Sequence, residues 1–207
     1  MAVTLKKWAA LALLCTLLSE SVVQAARNEG TYRSRKLDAD EPASQSVPAV
    51  GDIEVAFSPD EGSEKLVIKV IDSARHDLRM LTYSFTNAAI VEALLRAKKR
   101  GVDIALVVDY KNNVSEDRSG KAHAALGALV NAGVAVKTIK VYPIHHDKTI
   151  IVDARSVETG SFNYSAAAAH KNSENVLVLW NNQKLASIYL QHWQRNWSEG
   201  VPYQTSF

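Results

Sequence analysis

The segment "VDIALVVD" at 102–109 constrains the architecture more than any other. It is a nearly continuous apolar run of strand formers. A strand with no polar side has to be covered on both faces, as in a parallel sheet lying between helices. Its neighbours alternate to match. Strands are expected at 53–59, 77–85, 134–139, 148–152, 157–159 and 175–180. Helices are expected at 63–74, 87–101, 121–133, 164–170 and 183–198. Ser63 and Asn87 (or Thr86) serve as N-terminal caps, and Gly101 is a stop. The pattern predicts an α/β fold, a mixed, largely parallel β-sheet sandwiched between α-helices. No internal repeat is visible.

The chain begins like an exported protein. Lys6 and Lys7 precede an apolar run at 8–18, too short to span a bilayer comfortably. "SESVVQAA" follows, with Val23 and Ala25 in a small-x-small pattern. Residues 1–25 are therefore expected to be a signal peptide, cleaved after Ala25, with the mature protein periplasmic or secreted. The only cysteine, Cys15, lies inside that segment, so the mature chain is expected to carry neither a disulfide nor thiolate chemistry. Residues 26–50 read as a flexible polar arm with two prolines and balanced charge. Residues 51–207 are long enough for one compact catalytic domain.

Net charge is +2, so composition alone does not announce a nucleic-acid binder. The basic residues are clustered instead, at 96–100, at Lys137 with Lys140, at 145–148 and at His170 with Lys171.

The chemistry concentrates in "HHDKTIIVDARSVETGSFNYS" at 145–165. Residues two apart on a strand share a face, so His146 and Lys148 point one way and Asp147 the other. Asp153 falls in the turn at the end of the strand. Ser161 and Asn163 are also two apart, after Gly160, where a glycine permits close backbone approach. A hairpin of 148–152 with 157–159 would carry both pairs to one end of the sheet. An imidazole, an ammonium, an amide and a hydroxyl around one pocket suit a phosphate diester. The same residue types are also compatible with a polar strand edge and a satisfied histidine.

The spacing is more specific than the residue types. His146-x-Lys148, Asp153, and Gly160-Ser161-x-Asn163 resemble the signature of the phospholipase D superfamily (the HKD motif). "HKNSENVLVLW" at 170–180 and the alternation from "VAFSP" through "TYSFT" to "VVD" are similar to the small exported bacterial endonucleases of that superfamily, the Nuc type. The resemblance covers most of residues 53–200. It implies that His146 attacks phosphorus and forms a phosphohistidine. It implies that Lys148 and Asn163 bind the phosphate with Ser161 as a supporting donor. It further implies that Glu174 hydrogen-bonds and orients the histidine, and that Asp153 completes the motif in a more structural than chemical role. His145, one residue out of phase, should face away from Lys148. His192 is expected to pack on the face of the C-terminal helix, while His123 and His170 belong to helix surfaces. His76 would cap a helix exit.

Members of this superfamily use two motifs per active site, and this chain has one. The resemblance thus implies a homodimer with the active site at the two-fold interface, His146 of both chains meeting in one centre. The expected activity is that of a metal-independent, non-specific endonuclease cleaving DNA, with RNA also open. A phospholipase D acting on phospholipid headgroups, and a non-catalytic nucleic-acid-binding module, are the alternatives. No cofactor is expected. Asp147, Asp153 and Glu158 lack paired spacing for Mg²⁺ or Ca²⁺, so no metal is expected either.

Overall fold

The structure is a computed structural model, and it describes residues 44–205. The expected signal peptide at 1–25 and residues 26–43 of the expected arm lie outside the described residues.

Among the described residues, eight strands form one sheet in the order β1-β7-β6-β5-β2-β3-β4-β8. The strands are β1 (Ile53–Ser58), β2 (Asp77–Thr82), β3 (Asp103–Asp109), β4 (Ala135–Ile139), β5 (Lys148–Val152), β6 (Ser156–Gly160), β7 (Glu174–Leu179) and β8 (Val201–Pro202). The helices are α1 (Ser63–Ser73), α2 (Ala88–Lys99), α3 (Lys121–Asn131), α4 (Ala166–His170) and α5 (Gln183–Glu199). A π-helical turn, Lys111–Ser115, follows β3.

The sheet is mixed and lies between two apolar layers, as the pattern of β3 requires. Leu106 and Val108 join Leu66, Val70, Ile90 and Leu126 of α1 to α3 on one face. Ala105 and Val107 join Ala186 and Trp193 of α5 on the other. The parallel share is smaller than expected. Only β2–β3 and β3–β4 run parallel, while the other five pairings are antiparallel. The cause lies in the connections. Helices α2 and α3 carry the chain back to the same end of the sheet before β3 and β4. After β4 no helix intervenes, so β5 enters from the opposite end and pairs antiparallel with β2.

Local chemistry accounts for the element ends. Asn87 caps α2, its Oδ1 accepting from the N–H of Ala89 (2.9 Å) and Ile90 (3.2 Å). Gly101 follows α2 at φ 92°, a left-handed position that a glycine takes without Cβ strain. Ser63 does not cap α1. The cap position is Gly62, and Ser63 Oγ is hydrogen-bonded to Ser58 Oγ instead. Asp153 and Ala154, at φ 52° and 51°, form the tight turn of the β5–β6 hairpin, closed by Arg155 N–H donating to Val152 O at 3.0 Å. That hairpin sets Thr149 opposite Thr159, which carries Lys148 to the level of Gly160.

Candidate active site

The site forms where the carboxyl ends of β2 and β3 meet the start of β5. In this part of an α/β sheet, strand ends leave a crevice that ligands use. The register brings the end of β2 (Thr82 opposite Lys148), the end of β6 at Gly160 and the start of β7 (Glu174 opposite Ser58) to one edge. His146, Lys148, Ser161 and Glu174 all lie at this edge.

His146 is exposed, and its ring packs against Tyr83 with centroids 4.7 Å apart. Lys148 is buried, 6% exposed. Its Nζ donates to the His146 carbonyl at 2.8 Å and lies 5.2 Å from the centre of the Tyr83 ring. Burial pushes the Lys148 pKa below that of a free lysine, while the negative charges of Asp147 and Glu174 work against that shift. A partly desolvated ammonium attracts an anion more strongly than one in water does.

Across the strand ends, Ser161 Oγ donates to Glu174 Oε2 at 2.6 Å. Asn172 Nδ2 donates to Glu174 Oε1 at 3.0 Å. Gly160 is required where it stands, because a Cβ there would overlap the Asn175 carbonyl. The tight approach lets Ser161 N–H reach Asn175 O at 3.1 Å, which fixes the turn into the Ser161–Asn163 segment. Asn163 lies on that segment, next to the bridge between Phe85 and Tyr164, and its buried Oδ1 has no hydrogen-bond partner among the described residues.

One expectation is corrected and another, the structural place of Asp153 in the turn, is met. Within one chain Glu174 does not hydrogen-bond His146, since its two oxygens accept from Ser161 and Asn172. Asp153 lies at the other end of β5, roughly 20 Å along the strand from His146. Its carboxylate accepts from the backbone N–H groups of Arg75 (3.0 Å), His76 (2.8 Å) and Asp77 (3.0 Å), and so ties the α1–β2 loop to the hairpin turn. Asp153 therefore stays outside the cluster that could touch a substrate.

The other histidines are held elsewhere. His145 is buried, 2% exposed, and its N–H donates to Asp109 Oδ2 at 2.9 Å. Its Nε2 stands 3.3 Å from Asp147 Oδ2 without hydrogen-bond alignment. His123 is paired with Asp117 (3.1 Å), and His170 with Asp60 (2.6 Å). His76 is not a helix cap; its N–H donates to Asp153. His192 Nε2 lies 3.2 Å from Asp147 Oδ2.

The basic clusters divide. Residues 96–100 end α2, whose start adjoins Tyr164 at the site, so they lie about 18 Å away at the opposite edge of the sheet. There Arg96 and Arg100 pair with Asp72 (3.1 and 3.5 Å), and Arg100 caps the carbonyls that end α1. Charge contiguous in sequence could not reveal at which end of the helix it would fall. Lys137 is also engaged, donating to Trp197 O at 2.8 Å. Lys111, paired with Glu116 at 3.6 Å, and Lys140 follow β3 and β4 on one side of the site, and Lys65, Lys171 and the Asp60-paired His170 lie by β1 and β7 on the other. Tyr83 was not singled out from the sequence. Its signal was position, directly after the carboxyl end of a strand beside the motif.

Known proteins resemble this chain in sequence and in fold. Residues 67–197 match the family model described as "Cardiolipin synthase, PLD-like domain". A protein of Rickettsia conorii named Phospholipase D is 37% identical over 141 residues, covering 68% of this chain and 67% of the relative. A mitochondrial cardiolipin hydrolase of Danio rerio is 31% identical, covering 63% of this chain and 55% of the relative. The crystal structure of Nuc from Salmonella typhimurium, a phospholipase D family member, superposes with a TM-score of 0.71 at 45% identity, covering 74% of this chain and 98% of that one. With one histidine–lysine motif on a mixed sheet and this match to Nuc, the chain belongs to the phospholipase D superfamily of phosphodiester hydrolases, in its single-motif Nuc-type branch.

Proposed function

We propose that this protein is a metal-independent, non-specific endonuclease that cleaves DNA, and RNA as a second substrate, through a phosphohistidine intermediate. The observation that carries the reading is the meeting of the His146–Lys148 pair with the Ser161–Glu174 pair at one strand edge. His146 attacks phosphorus while the bond to the leaving oxygen breaks. A second histidine donates a proton to that oxygen, then takes one from the water that cleaves the phosphohistidine. Lys148 and Asn163 stabilise the charge on the non-bridging oxygens, while the Ser161 hydroxyl is donated to Glu174. Glu174 orients this donor set through Ser161.

The second histidine is His146 of another copy, because this chain carries one motif. A two-fold axis through the site needs a self-complementary surface around His146. Val141 and Ile144, each 54% exposed on the segment leading to His146, suit such a contact. The expected signal segment makes the dimer periplasmic or secreted.

The basic residues flanking the site favour a polyanion held by its backbone, which is binding without sequence preference. A second reading, phospholipid, rests on the names of the Rickettsia and Danio relatives and on the exposed apolar groups beside Lys140. One experiment separates them. The purified dimer is incubated in excess EDTA with plasmid DNA, single-stranded DNA, RNA, and phosphatidylcholine and cardiolipin vesicles. Nucleic-acid cleavage that outpaces lipid turnover supports the nuclease. Headgroup release with intact DNA assigns the lipid.

A further inference from the structure

We propose that His192 is a positioning residue for the nucleophile, holding through Asp147 the backbone that carries His146. This rests on the reading of His146 as the nucleophile.

The His146 ring is exposed and, among the described residues, has no hydrogen bond of its own. Its place is set by its backbone, which is gripped on several sides. His145 N–H donates to Asp109 at 2.9 Å, Tyr83 N–H donates to the Asp147 carbonyl at 3.0 Å, and Lys148 Nζ donates to the His146 carbonyl at 2.8 Å. The remaining grip is on the Asp147 side chain, which points to the face of the sheet covered by α5. Its Oδ2 stands 3.2 Å from His192 Nε2 and 3.3 Å from His145 Nε2.

The tautomer of His192 follows from its other neighbour. Arg195 Nη2 lies 2.9 Å from His192 Nδ1. A guanidinium only donates, so Nδ1 accepts and the ring proton sits on Nε2, where it donates to Asp147. Burial works to raise the Asp147 pKa, but the His192 hydrogen bond and the Lys148 charge outweigh it and hold the carboxyl below its ordinary range. The mount is firm. Trp193, the next residue, is buried, donates to Met80 O at 3.3 Å and stacks on Trp197 with centroids 5.0 Å apart. The line of contacts thus runs from a packed helix through His192 and Asp147 to the backbone of the nucleophile, the one grip on it that comes from the α5 face. A nucleophile displaced by about 1 Å loses about 100-fold in rate. A surface contact with no positioning role would leave the rate alone.

The test uses the full dimer and the variants His192→Ala and His192→Gln, whose amide can donate near the Nε2 position. Hydrogen exchange is followed in the peptide containing residues 145–147. Hydrolysis of bis(4-nitrophenyl) phosphate is measured in EDTA. In His192→Ala, exchange in that peptide should rise about tenfold. Its kcat should fall about 10- to 100-fold, with KM within about threefold. His192→Gln should recover most of both. Unchanged exchange in His192→Ala overturns the clamp, whatever the activity. A faster exchange with unaltered kcat also overturns it as a positioning device. If exchange rises but wild type hydrolyses no phosphodiester, the positioning claim falls along with the nucleophile reading, and only the structural contact survives.

Discussion

Ser161 and Glu174 are hydrogen-bonded at 2.6 Å across the ends of β6 and β7, while Lys148 on β5 lies close enough for the Glu174 charge to act on its ammonium. This pairing gives Glu174 a task within one chain: it anchors Ser161, and with it the segment that carries Asn163 to the phosphate position. Glu174→Gln keeps the shape and loses the charge-assisted bond. We expect kcat to fall by about 10- to 100-fold with the fold intact, since one oriented donor in such a site contributes roughly that factor or more. Steady-state kinetics with circular dichroism as a control will show it.

Lys148 sets an alkaline limit. Its folded pKa lies below the ordinary 10.5 because burial disfavours the charged form. As pH rises through that lowered value the ammonium is lost, so KM for substrate should rise before pH 10.5 is reached. Lys148→Arg keeps a charge at all accessible pH, so its KM should stay flat while kcat falls from the altered geometry. KM measured from pH 6 to 10.5 tests both.

Asp153 acts on stability. Asp153→Ala leaves three backbone N–H groups without their acceptor and puts a Cβ-bearing residue with no local side-chain hydrogen bond at φ 52°. Unfolding free energy in urea should drop by about 2–3 kcal/mol. The folded fraction should retain kcat within about threefold, because the carboxylate lies at the far end of β5. Full inactivation of a folded Asp153→Ala protein would contradict this placement.

Glu158 makes stability depend on pH. It is fully buried on β6, accepts from Tyr164 Oη at 2.7 Å, and burial raises its pKa from 4.5 to about 8. Between those values the folded protein holds a proton that the unfolded chain releases. The stabilisation is complete below about 4.5 and is lost as pH rises through about 8. The slope in that window is about 1.4 kcal/mol per pH unit. Glu158→Gln should remove it. Denaturant unfolding of both proteins at pH 5 and pH 8 gives the comparison.

Ile144→Asp places a carboxylate on the exposed segment beside His146. If that surface meets a second copy, the variant should sediment as a monomer and lose activity in step. An active monomer would contradict the shared site.

Much of this was legible in the sequence because side-chain spacing is a direct record of strand faces. His146 and Lys148 two apart, and Gly160 before Ser161, needed only the hairpin register to meet. The direction of the strands was less legible. "VDIALVVD" correctly demanded cover on both faces, but pairing partners follow from which connections contain helices. The place of Asp153 was legible too, because a residue beyond the strand's last apolar position falls in the turn; the backbone groups it would hold were not. Tyr83 and His192 belong to distant segments of ordinary composition, and only the folded chain brings them to the nucleophile. The basic run at 96–100 read as a binding feature, yet it caps helix ends and pairs with Asp72.

The most direct test is to trap the covalent intermediate. The dimer is mixed with a phosphodiester substrate in EDTA, quenched in alkali during turnover, and digested for mass spectrometry. The account predicts a base-stable, acid-labile phosphoryl adduct on His146, absent from His146→Ala, which should itself have lost at least about 1000-fold in activity. An adduct on another residue, or undiminished turnover by His146→Ala, would contradict it.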